Sequence, residues 1–358
     1  MLKSQIYKTF YKQRFFSKKY VATTQSEHGR KIFHRFSYQK LHSAEKNSYL
    51  RFEGLQAGFE PSKSNIEEPF THDSATRSIM KYAEYINKVE ITSLWSGRKH
   101  IAWTLHPDVN VLSGRNGEGK TTILNKLVHY LRDVPQTGEL QHVTRQGVRI
   151  DFHPQDADCV RYDLIRSFDR RIIQSEALSK ITDQKLWTEL DWQLYLLQRR
   201  YLDYQVNVGN RMIALLTKGS PEARQEAEEA AQIKTRFQDM IDDLFAETGK
   251  TIDRQSNELR FQQYDETLSP YVLSSGEKQI LLILLTALTE DRQPYVFFMD
   301  EPEASLHFEW QKQLISLVRE LNPRAQIILT THSPAVIMDG WQDAVTEVSD
   351  ITLNGHKH

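Results

Sequence analysis

The 358-residue sequence predicts an α/β protein with a mostly parallel β-sheet, and three observations support this. A short apolar strand, Asn110-Val-Leu, runs into a glycine-rich turn that is followed by an amphipathic helix. Near the carboxyl end, two continuously apolar strands flank a helix, which is the pattern of a parallel β–α–β unit. Between these regions lie two long helical stripes joined by a short turn, which predict a helical-hairpin insertion.

The remaining strands and helices follow in the order that such a domain requires. Residues 88–92 alternate between polar and apolar side chains as a strand does, and residues 101–105 resemble a second strand. After the glycine-rich turn, residues 121–132 carry apolar side chains at helical spacing. The parallel unit consists of strands at 295–299 and 326–330, with a helix at 309–321 between them; its connection is expected to be right-handed.

The first helical stripe begins near residue 185 and continues to residue 217. Its apolar positions, three or four residues apart, are Leu186, Leu190, Leu194, Leu197, Tyr201, Tyr204, Val208, Met212 and Leu215. Gly219 predicts the helix end, Ser220 the cap of the next helix and Pro221 its first position. A packed helical subdomain is favoured over a projecting coiled coil, because one apolar face does not account for the extra aromatic residues near the start.

Charge is distributed unevenly, although the formal net charge is only −1. Residues 1–51 contain 12 Lys and Arg against 2 Asp and Glu, which leaves 34 and 45 for the remainder. Because this stretch is also rich in aromatic residues and has no clear periodicity, we interpret residues 1–81 as a poorly ordered basic extension, or as codons upstream of the true start. Two alternatives stay open: an organelle-targeting leader, and an arm that binds single-stranded nucleic acid through phosphate pairing and base stacking.

Composition excludes two broad classes of protein. The longest strongly apolar stretch, residues 280–288, has nine residues, whereas a membrane-spanning helix needs roughly 20. The single cysteine, Cys159, can form no internal disulfide, which excludes a secreted disulfide scaffold. We therefore expect no membrane span and a reducing compartment, the cytoplasm.

The strongest chemical signal is Gly114-Arg-Asn-Gly-Glu-Gly-Lys-Thr, a phosphate-binding (Walker A) loop between a strand and a helix. Backbone N–H groups of such a loop curl around a phosphate, and the following helix directs its positive end there. Lys120 is expected to contact the β- and γ-phosphates, and the Thr121 hydroxyl to be a magnesium ligand. The expected nucleotide-binding residues are Gly114, Asn116, Gly117, Glu118, Gly119, Lys120, Thr121 and Thr122.

Two carboxylates at the end of an apolar strand give the second signal, in Phe298-Met-Asp-Glu-Pro. Ligands of open α/β sheets bind at the carboxyl ends of the strands. Asp300 is expected to hold Mg²⁺ through water, and Glu301 to orient the attacking water and accept its proton. An isolated Asp-Glu pair is as often a surface feature, but together with the glycine-rich loop it predicts catalysis.

Two more segments have both a structural and a chemical interpretation. Leu273-Ser-Ser-Gly-Glu-Lys-Gln precedes an apolar helix and could simply cap it, with Ser275 as the N-cap and Lys278 where Glu or Gln would complete a capping box. Thr330-Thr-His-Ser-Pro follows the strand at 326–330. A histidine at a strand end is usually ordinary loop chemistry, but His332 is expected to emerge beside the carboxylate pair.

In this order and spacing, the four segments resemble those of an ABC-type P-loop ATPase. More narrowly, residues 86–345 are similar to the "AAA-type core" ATPases, which include the ATPase part of overcoming-lysogenization-defect (OLD) nucleases, and to ATPase subunits of anti-phage systems and SMC-like repair ATPases. The resemblance implies a P-loop NTPase head. Its two parts would be residues 82–170 and 251–358, around the hairpin insertion at 171–250 and after the extension at 1–81.

The resemblance also implies that ATP and Mg²⁺ bind between two copies of the chain. Ser275 and Gly276 would contact the γ-phosphate bound to the second copy, and His332 would sense that phosphate. The loop with Ser305 and Leu306 would cross the interface. The chain departs from the family pattern at the glutamine loop, for which Gln155 is only a candidate. No aromatic residue is assigned to adenine, although Trp95, Arg98 and Trp103 lie nearby in sequence.

Three functions are compatible with these features. The first is an ATP-driven homodimer that acts as a switch on DNA or on an effector protein encoded nearby, in anti-phage defence or DNA repair. The second is the energising subunit of a membrane transporter, which the long helical insertion disfavours. The third is an ATP-assembled scaffold with slow turnover. The sequence ends shortly after His332, so we expect any nuclease to be a separate polypeptide.

Overall fold

A computed structural model describes residues 80–133, 147–167 and 186–353, and its centre is a five-stranded parallel sheet. The strands are β3 (Val109–Ser113), β5 (Tyr162–Arg166), β9 (Tyr295–Asp300), β10 (Ala325–Thr330) and β11 (Val345–Glu347). Their order across the sheet is β11-β3-β10-β9-β5. The protein therefore has the predicted α/β fold. The predicted extension at 1–81 lies outside the described residues, apart from its last two.

A second sheet is antiparallel and was not predicted as a separate layer. Its strands are β1 (Tyr85–Leu94), β2 (Lys99–Thr104), β4 (Val148–His153) and β12 (Thr352–Leu353), in the order β12-β2-β1-β4. The two strands predicted at 88–92 and 101–105 belong to this sheet. The fully buried Gln326 of β10 joins the layers: its amide nitrogen donates to Ile86 O at 2.8 Å and its amide oxygen accepts from Ile86 N at 2.8 Å.

The parallel sheet is covered on both faces, as its continuously apolar strands predict. On β9, Val296 and Phe298 pack with the antiparallel sheet and with α1 (Lys120–Asp133). Phe297 and Met299 pack on the opposite face against the helices α2 (Glu189–Lys218), α3 (Pro221–Leu244), α4 (Ser275–Thr289) and α5 (Phe308–Leu321). Helix α5 connects β9 to β10, which pair directly in parallel, so the predicted β–α–β unit is confirmed.

The predicted helical hairpin is also confirmed. Gly219 has φ +74° and ends α2, while Ser220 caps α3 and Pro221 occupies its first position. The helix begins at Glu189, later than predicted, so Leu186 precedes it. Every predicted apolar position of the stripe is buried except Met212, which is partly buried. Most of the hairpin packs into the main hydrophobic core with α4, which agrees with a packed subdomain. At the turn between the helices, Leu215, Ala223 and Ala227 form a separate small cluster.

A small three-stranded sheet lies between the hairpin and α4 in the chain. It consists of β6 (Thr251–Ile252), β7 (Phe261–Gln263) and β8 (Glu266–Leu268). Phe261 is fully buried against Phe245, so this sheet continues the core that the hairpin begins. Within the described residues, no helix combines the length and the apolar character that crossing a bilayer requires.

Candidate functional site

The carboxyl ends of the central strands meet at one edge of the parallel sheet. The register pairs Thr330 of β10 with Asp300 of β9, and Asp300 with Arg166 of β5. Strand β3, beside β10, ends directly before Gly114. As a result the Thr121 hydroxyl donates a hydrogen bond to Asp300 Oδ1 at 3.0 Å. The glycine-rich loop and the carboxylate pair are thus in direct contact.

Positive backbone φ angles explain the glycines of the loop. Gly114, Gly117 and Gly119 have φ angles of 150°, 84° and 106°. A Cβ atom at Gly114 would lie 2.4 Å from Glu118 Oε2, a carboxylate that accepts a hydrogen bond from the loop backbone. Side chains at these positions would therefore be strained or would collide with the loop itself.

Lys120 lies within the curl of the loop. It is only 5% exposed, and its ammonium group donates to Gly114 O at 2.8 Å and to Arg115 O at 3.2 Å. Asn116 is exposed at the outer bend, whereas Thr122 is half-buried in the first turn of α1. The loop therefore places one buried cation at the amino end of a helix, an arrangement that favours binding of phosphate groups.

Asp300 is 4% exposed and lies at the centre of a group of oxygen atoms. Its Oδ1 accepts from the hydroxyls of Thr121 at 3.0 Å and Thr330 at 2.7 Å. Hydroxyl and carboxylate oxygens are the ligands that Mg²⁺ takes, usually one or two from protein with the rest from water and substrate phosphates. Thr121 and Asp300 supply one hydroxyl and one carboxylate oxygen, which fit this description.

Glu301 and His332 form a pair beside Asp300. His332 Nε2 lies 3.2 Å from Glu301 Oε1, and both side chains are partly exposed. Glu301 has φ +48°, which is uncommon for any residue but glycine. Its N–H donates to the backbone oxygen and the hydroxyl of Thr330, both at 3.1 Å. The strained backbone is therefore held in place, which is typical of functional sites.

Ser167 is a site residue that the sequence analysis missed. It is 3% exposed, and its hydroxyl donates to Asp300 O at 3.0 Å and also bonds Glu301 O. It directly follows β5, the strand beside β9. Gln155, the candidate for a glutamine loop, lies between β4 and β5. The sequence analysis predicted no strand at 162–166, so nothing in it marked Ser167.

The cap of α4 begins one residue earlier than predicted. Ser274, not Ser275, is the N-cap: its hydroxyl accepts from Glu277 N, and Glu277 Oε2 accepts from Ser274 N, which completes a capping box. Lys278 therefore plays no part in the box and pairs instead with the buried Asp191 at 2.8 Å. Ser275 is exposed at the first helical position.

Glu277 is 2% exposed and ionised in a polar setting. Burial acts to raise its pKa, but hydrogen bonds from Lys250 and from the backbone and hydroxyl of Ser274 outweigh this, and the net effect lowers the pKa. Lys250 Nζ lies 2.8 Å from Glu277 Oε1. The start of α4 is thereby attached to the segment that follows α3.

Gly276 lies against the turn that follows the carboxylate pair. A Cβ atom at this position would be 2.5 Å from the backbone oxygen of Ser305. Ser305 and Leu306 were predicted to cross a dimer interface. Leu306 is buried in the core of its own chain, whereas Ser305 is partly exposed. The signature segment and the carboxylate turn are therefore in tight contact.

Trp95 is the aromatic residue that the structure brings to the loop. It has φ +49° in the turn between β1 and β2, and it is 41% exposed. A Cβ atom at Gly119 would be 3.2 Å from Trp95 Cζ2, so the indole lies on the glycine-rich loop. Trp103, by contrast, is 1% exposed within the core, where it has no open face for a ligand.

The solved structures to which the chain is similar include heads of SMC proteins. One is described as the SmcHead bound to the C-winged helix domain of ScpA, with a TM-score of 0.41 and 15% identity over 71% of this chain and 91% of that one. Another is the SMC head domain from Thermotoga maritima, with a TM-score of 0.35 and 16% identity over 74% of this chain and 94% of that one.

Among characterised sequences, Septu protein PtuA of Bacillus thuringiensis is 43% identical over 42 residues, which is 12% of this chain and 11% of PtuA. The match thus spans about a ninth of that protein. A family model described as "AAA domain, putative AbiEii toxin, Type IV TA system" matches residues 160–339, a segment that contains the carboxylate pair, the α4 cap and His332. Because this match covers half of the chain, the protein belongs to that family of AAA-type P-loop ATPases.

Proposed function

We propose that the protein binds ATP with Mg²⁺ and hydrolyses it at this edge of the sheet, and that two copies of the chain close around the nucleotide. The observation that carries the proposal is the hydrogen bond between Thr121 and Asp300, with Glu301 and His332 paired directly beside it. A phosphate-binding loop, oxygen ligands for a cation and a water-orienting carboxylate are the parts that phosphoryl transfer to water requires.

Binding would use the loop and its neighbours. The backbone N–H groups of residues 114–122 would surround the phosphates, and the Lys120 ammonium would exchange its loop carbonyls for the β- and γ-phosphates. Trp95 is 41% exposed, and the Lys99 ammonium lies 4.7 Å from its ring centroid. Displacement of that ammonium would free the indole for the adenine or ribose. Mg²⁺, held by Thr121 and Asp300, would neutralise charge on the phosphates.

Hydrolysis would depend on the pair at 301 and 332. Glu301 is expected to orient a water molecule towards the γ-phosphate and to accept its proton. His332 contacts the same carboxylate and would sense the γ-phosphate. The Thr330 hydroxyl accepts a hydrogen bond from Glu301 N, and the Ser167 hydroxyl donates one to Asp300 O, so both would hold these groups in place before substrate arrives.

Closure of a dimer would be transmitted through α4. Ser275 and Gly276 lie in the first turn of this helix, whose amino end favours the γ-phosphate bound to a second copy. The next two residues hold both ends of the hairpin: Glu277 pairs with Lys250 after α3, and Lys278 pairs with Asp191 at the start of α2. A shift of α4 would therefore move the hairpin with it.

The output would be action on a partner protein or on DNA in the cytoplasm. The family description names a toxin and a toxin–antitoxin system, and the local match is to a Septu protein. These relatives favour anti-phage defence, with an effector protein encoded nearby. Loss of phage protection in the Lys120→Ala variant, expressed with its neighbouring genes, would be expected; unchanged protection would argue against a role for ATP in this process.

Steady-state ATP hydrolysis tests the enzymatic part. The wild-type chain should hydrolyse ATP with Mg²⁺, and Lys120→Ala should lose about a hundredfold or more because a central phosphate contact is removed. Lys312→Ala, on the outer surface of α5, is the matched control and should be unaffected. Normal turnover by Lys120→Ala would contradict the assignment of the loop.

Light scattering after size exclusion tests the dimer. Glu301→Gln should bind ATP but hydrolyse it slowly, and should therefore accumulate as a dimer, whereas the surface variant Glu309→Gln should behave as wild type. A Glu301→Gln protein that stays monomeric with bound ATP would refute the dimer. The rate with and without duplex DNA, at a stated salt concentration, tests whether DNA is the partner.

A further inference from the structure

Glu303 is a buried carboxylate that the proposed chemistry does not use. It lies two residues after Glu301 in the same turn and is 7% exposed. Its Oε1 accepts two hydrogen bonds, from Thr331 Oγ1 at 2.6 Å and from His332 N at 3.0 Å. Both donors belong to the loop that carries the proposed phosphate-sensing histidine.

The second carboxylate oxygen of Glu303 makes burial of this side chain energetically unfavourable. Oε2 is buried and has no hydrogen-bond partner among the residues that the structure describes. A buried polar oxygen without a hydrogen-bond partner opposes folding. A buried oxygen without a partner calls for an explanation, and a role in fixing the backbone of the catalytic region is one.

The opposite side of the histidine loop is held by Gln311 of α5. Ser333 Oγ donates to Gln311 Oε1 at 2.6 Å, and Gln311 Nε2 donates to Leu306 O at 2.9 Å. The backbone at His332 is thus fixed from two sides, while its side chain is 38% exposed and reaches Glu301 at 3.2 Å. Where the imidazole lies depends on where these anchors hold the backbone.

We propose that Glu303 is a positioning residue for ATP hydrolysis that acts through His332. Its carboxylate fixes the backbone N–H of His332, and so fixes the imidazole relative to Glu301 and to the γ-phosphate. Because Glu301 and Glu303 share one turn, the water-orienting carboxylate and the histidine loop move together. This inference rests on the proposed ATPase function, and it assigns to Glu303 no contact with substrate.

Kinetics separate this role from a general loss of stability. Glu303→Ala should lower kcat about ten- to a hundredfold, as small misplacements in active sites do, and should leave the KM for ATP within about threefold. Glu303→Gln should retain most activity, because its amide oxygen can accept both hydrogen bonds. In a His332→Ala background, Glu303→Ala should cause no further loss of kcat. The proposal would be overturned if the losses of kcat caused by Glu303→Ala and His332→Ala multiplied in the double variant. A normal kcat in Glu303→Ala would overturn it as well.

Hydrogen–deuterium exchange of the full chain without nucleotide gives a second measurement that needs no ATPase activity. Peptides containing residues 331–333 should exchange faster in Glu303→Ala than in wild type or Glu303→Gln, whereas the surface control Glu309→Ala should not differ. Unchanged exchange in Glu303→Ala would overturn the anchoring role. Should wild type show no hydrolysis, the proposed function fails, yet this comparison still decides whether Glu303 holds His332.

A further variant covers the case in which Glu303→Ala does not fold. Thr331→Val keeps the shape of the side chain and removes one of the two hydrogen bonds to Glu303, together with the bond from Ser333 N, so exchange is read at the amide of His332. It should lower kcat by less than Glu303→Ala does, with KM unchanged, and should speed exchange at this amide. Wild-type values of kcat and exchange in Thr331→Val would also count against the proposal.

Discussion

Replacement of Gly276 by alanine tests the contact between the signature segment and the carboxylate turn. Gly276 is the second residue of α4, and the added Cβ would be 2.5 Å from Ser305 O and 3.9 Å from Trp310 Cζ3. Close carbon–oxygen contacts in proteins are about 3.3 Å or longer. The Ser305 backbone or the start of α4 would therefore have to move by several tenths of an ångström.

Two opposing effects set the stability of this variant. Alanine is favoured over glycine in a helix by at most about 1 kcal/mol, and less near the helix end. Overpacking of a tight site costs about 1–3 kcal/mol. The expected result is a net loss of about 1 kcal/mol. Gly209 in α2 is the matched control, because it is helical and no atom lies within 4 Å of its added Cβ. Gly209→Ala should stabilise by up to about 1 kcal/mol.

Thermal unfolding and ATP turnover of the full-length variants measure both effects. A change of about 1 kcal/mol corresponds to a Tm shift of about 2–4 °C in a domain of this size. Gly276→Ala should lower the Tm and also lower kcat, because Ser305 belongs to the turn that begins at Glu301. Gly209→Ala should raise the Tm and leave kcat unchanged. An equal rise in Tm for both variants would refute the reasoning, since it would show that the Ser305 turn yields freely.

Three further predictions concern the adenine contact, a buried ion pair and pH. Trp95→Ala should weaken ATP binding about tenfold in calorimetry through lost stacking, whereas Trp95→Phe should bind nearly as wild type; equal affinity in all three would exclude the contact. Lys278→Met should lower the free energy of unfolding by about 3–5 kcal/mol in denaturant titration, because Asp191 is 1% exposed and loses its paired cation. A loss below about 1 kcal/mol would contradict this and show that the Asp191 side chain moves to contact water. The pKa of Glu277 is lower in the folded state than its ordinary value of 4.5, so the ionised side chain stabilises the fold fully above pH 4.5. This stabilisation is lost as pH falls through the folded-state pKa. In denaturant unfolding, wild type should therefore be more stable than Glu277→Gln at pH 7, and the difference in the free energy of unfolding should disappear in acid; a difference that persists in acid would contradict this.

The helical hairpin could be predicted because its signals are local. Apolar side chains at helical spacing, a glycine at the helix end and a serine–proline start each act within a few residues, and the structure uses all of them. The capping box of α4 was equally local. Ser274 and Glu277 are separated as a Ser-x-x-Glu box requires, so choosing Ser275 was a wrong choice between two serines in the sequence, not a tertiary effect.

Contacts of the candidate site could be predicted only between residues that belong to recognisable sequence motifs. The glycine-rich loop and the carboxylate pair are each recognisable in sequence, and their meeting follows from strands that end at a common edge. Ser167 was missed because its role depends on β5 entering the sheet beside β9, a pairing between residues more than 130 positions apart. Gln155 stays a prediction, because no local pattern marks a glutamine loop.

The turn from Glu301 to Leu306 gains its importance from tertiary contacts alone. In sequence it is a short link between a strand and a helix, yet Glu301 contacts His332, Glu303 holds the backbone of the same histidine, and Ser305 lies against Gly276. These contacts join segments about 30 residues apart on either side, so no periodicity or spacing records them. If His332 senses the γ-phosphate as proposed, a change in phosphate occupancy would reach the start of α4 through this turn, because tightly packed backbone transmits displacement. The hairpin, held at Glu277 and Lys278, would then respond without any contact of its own with the nucleotide.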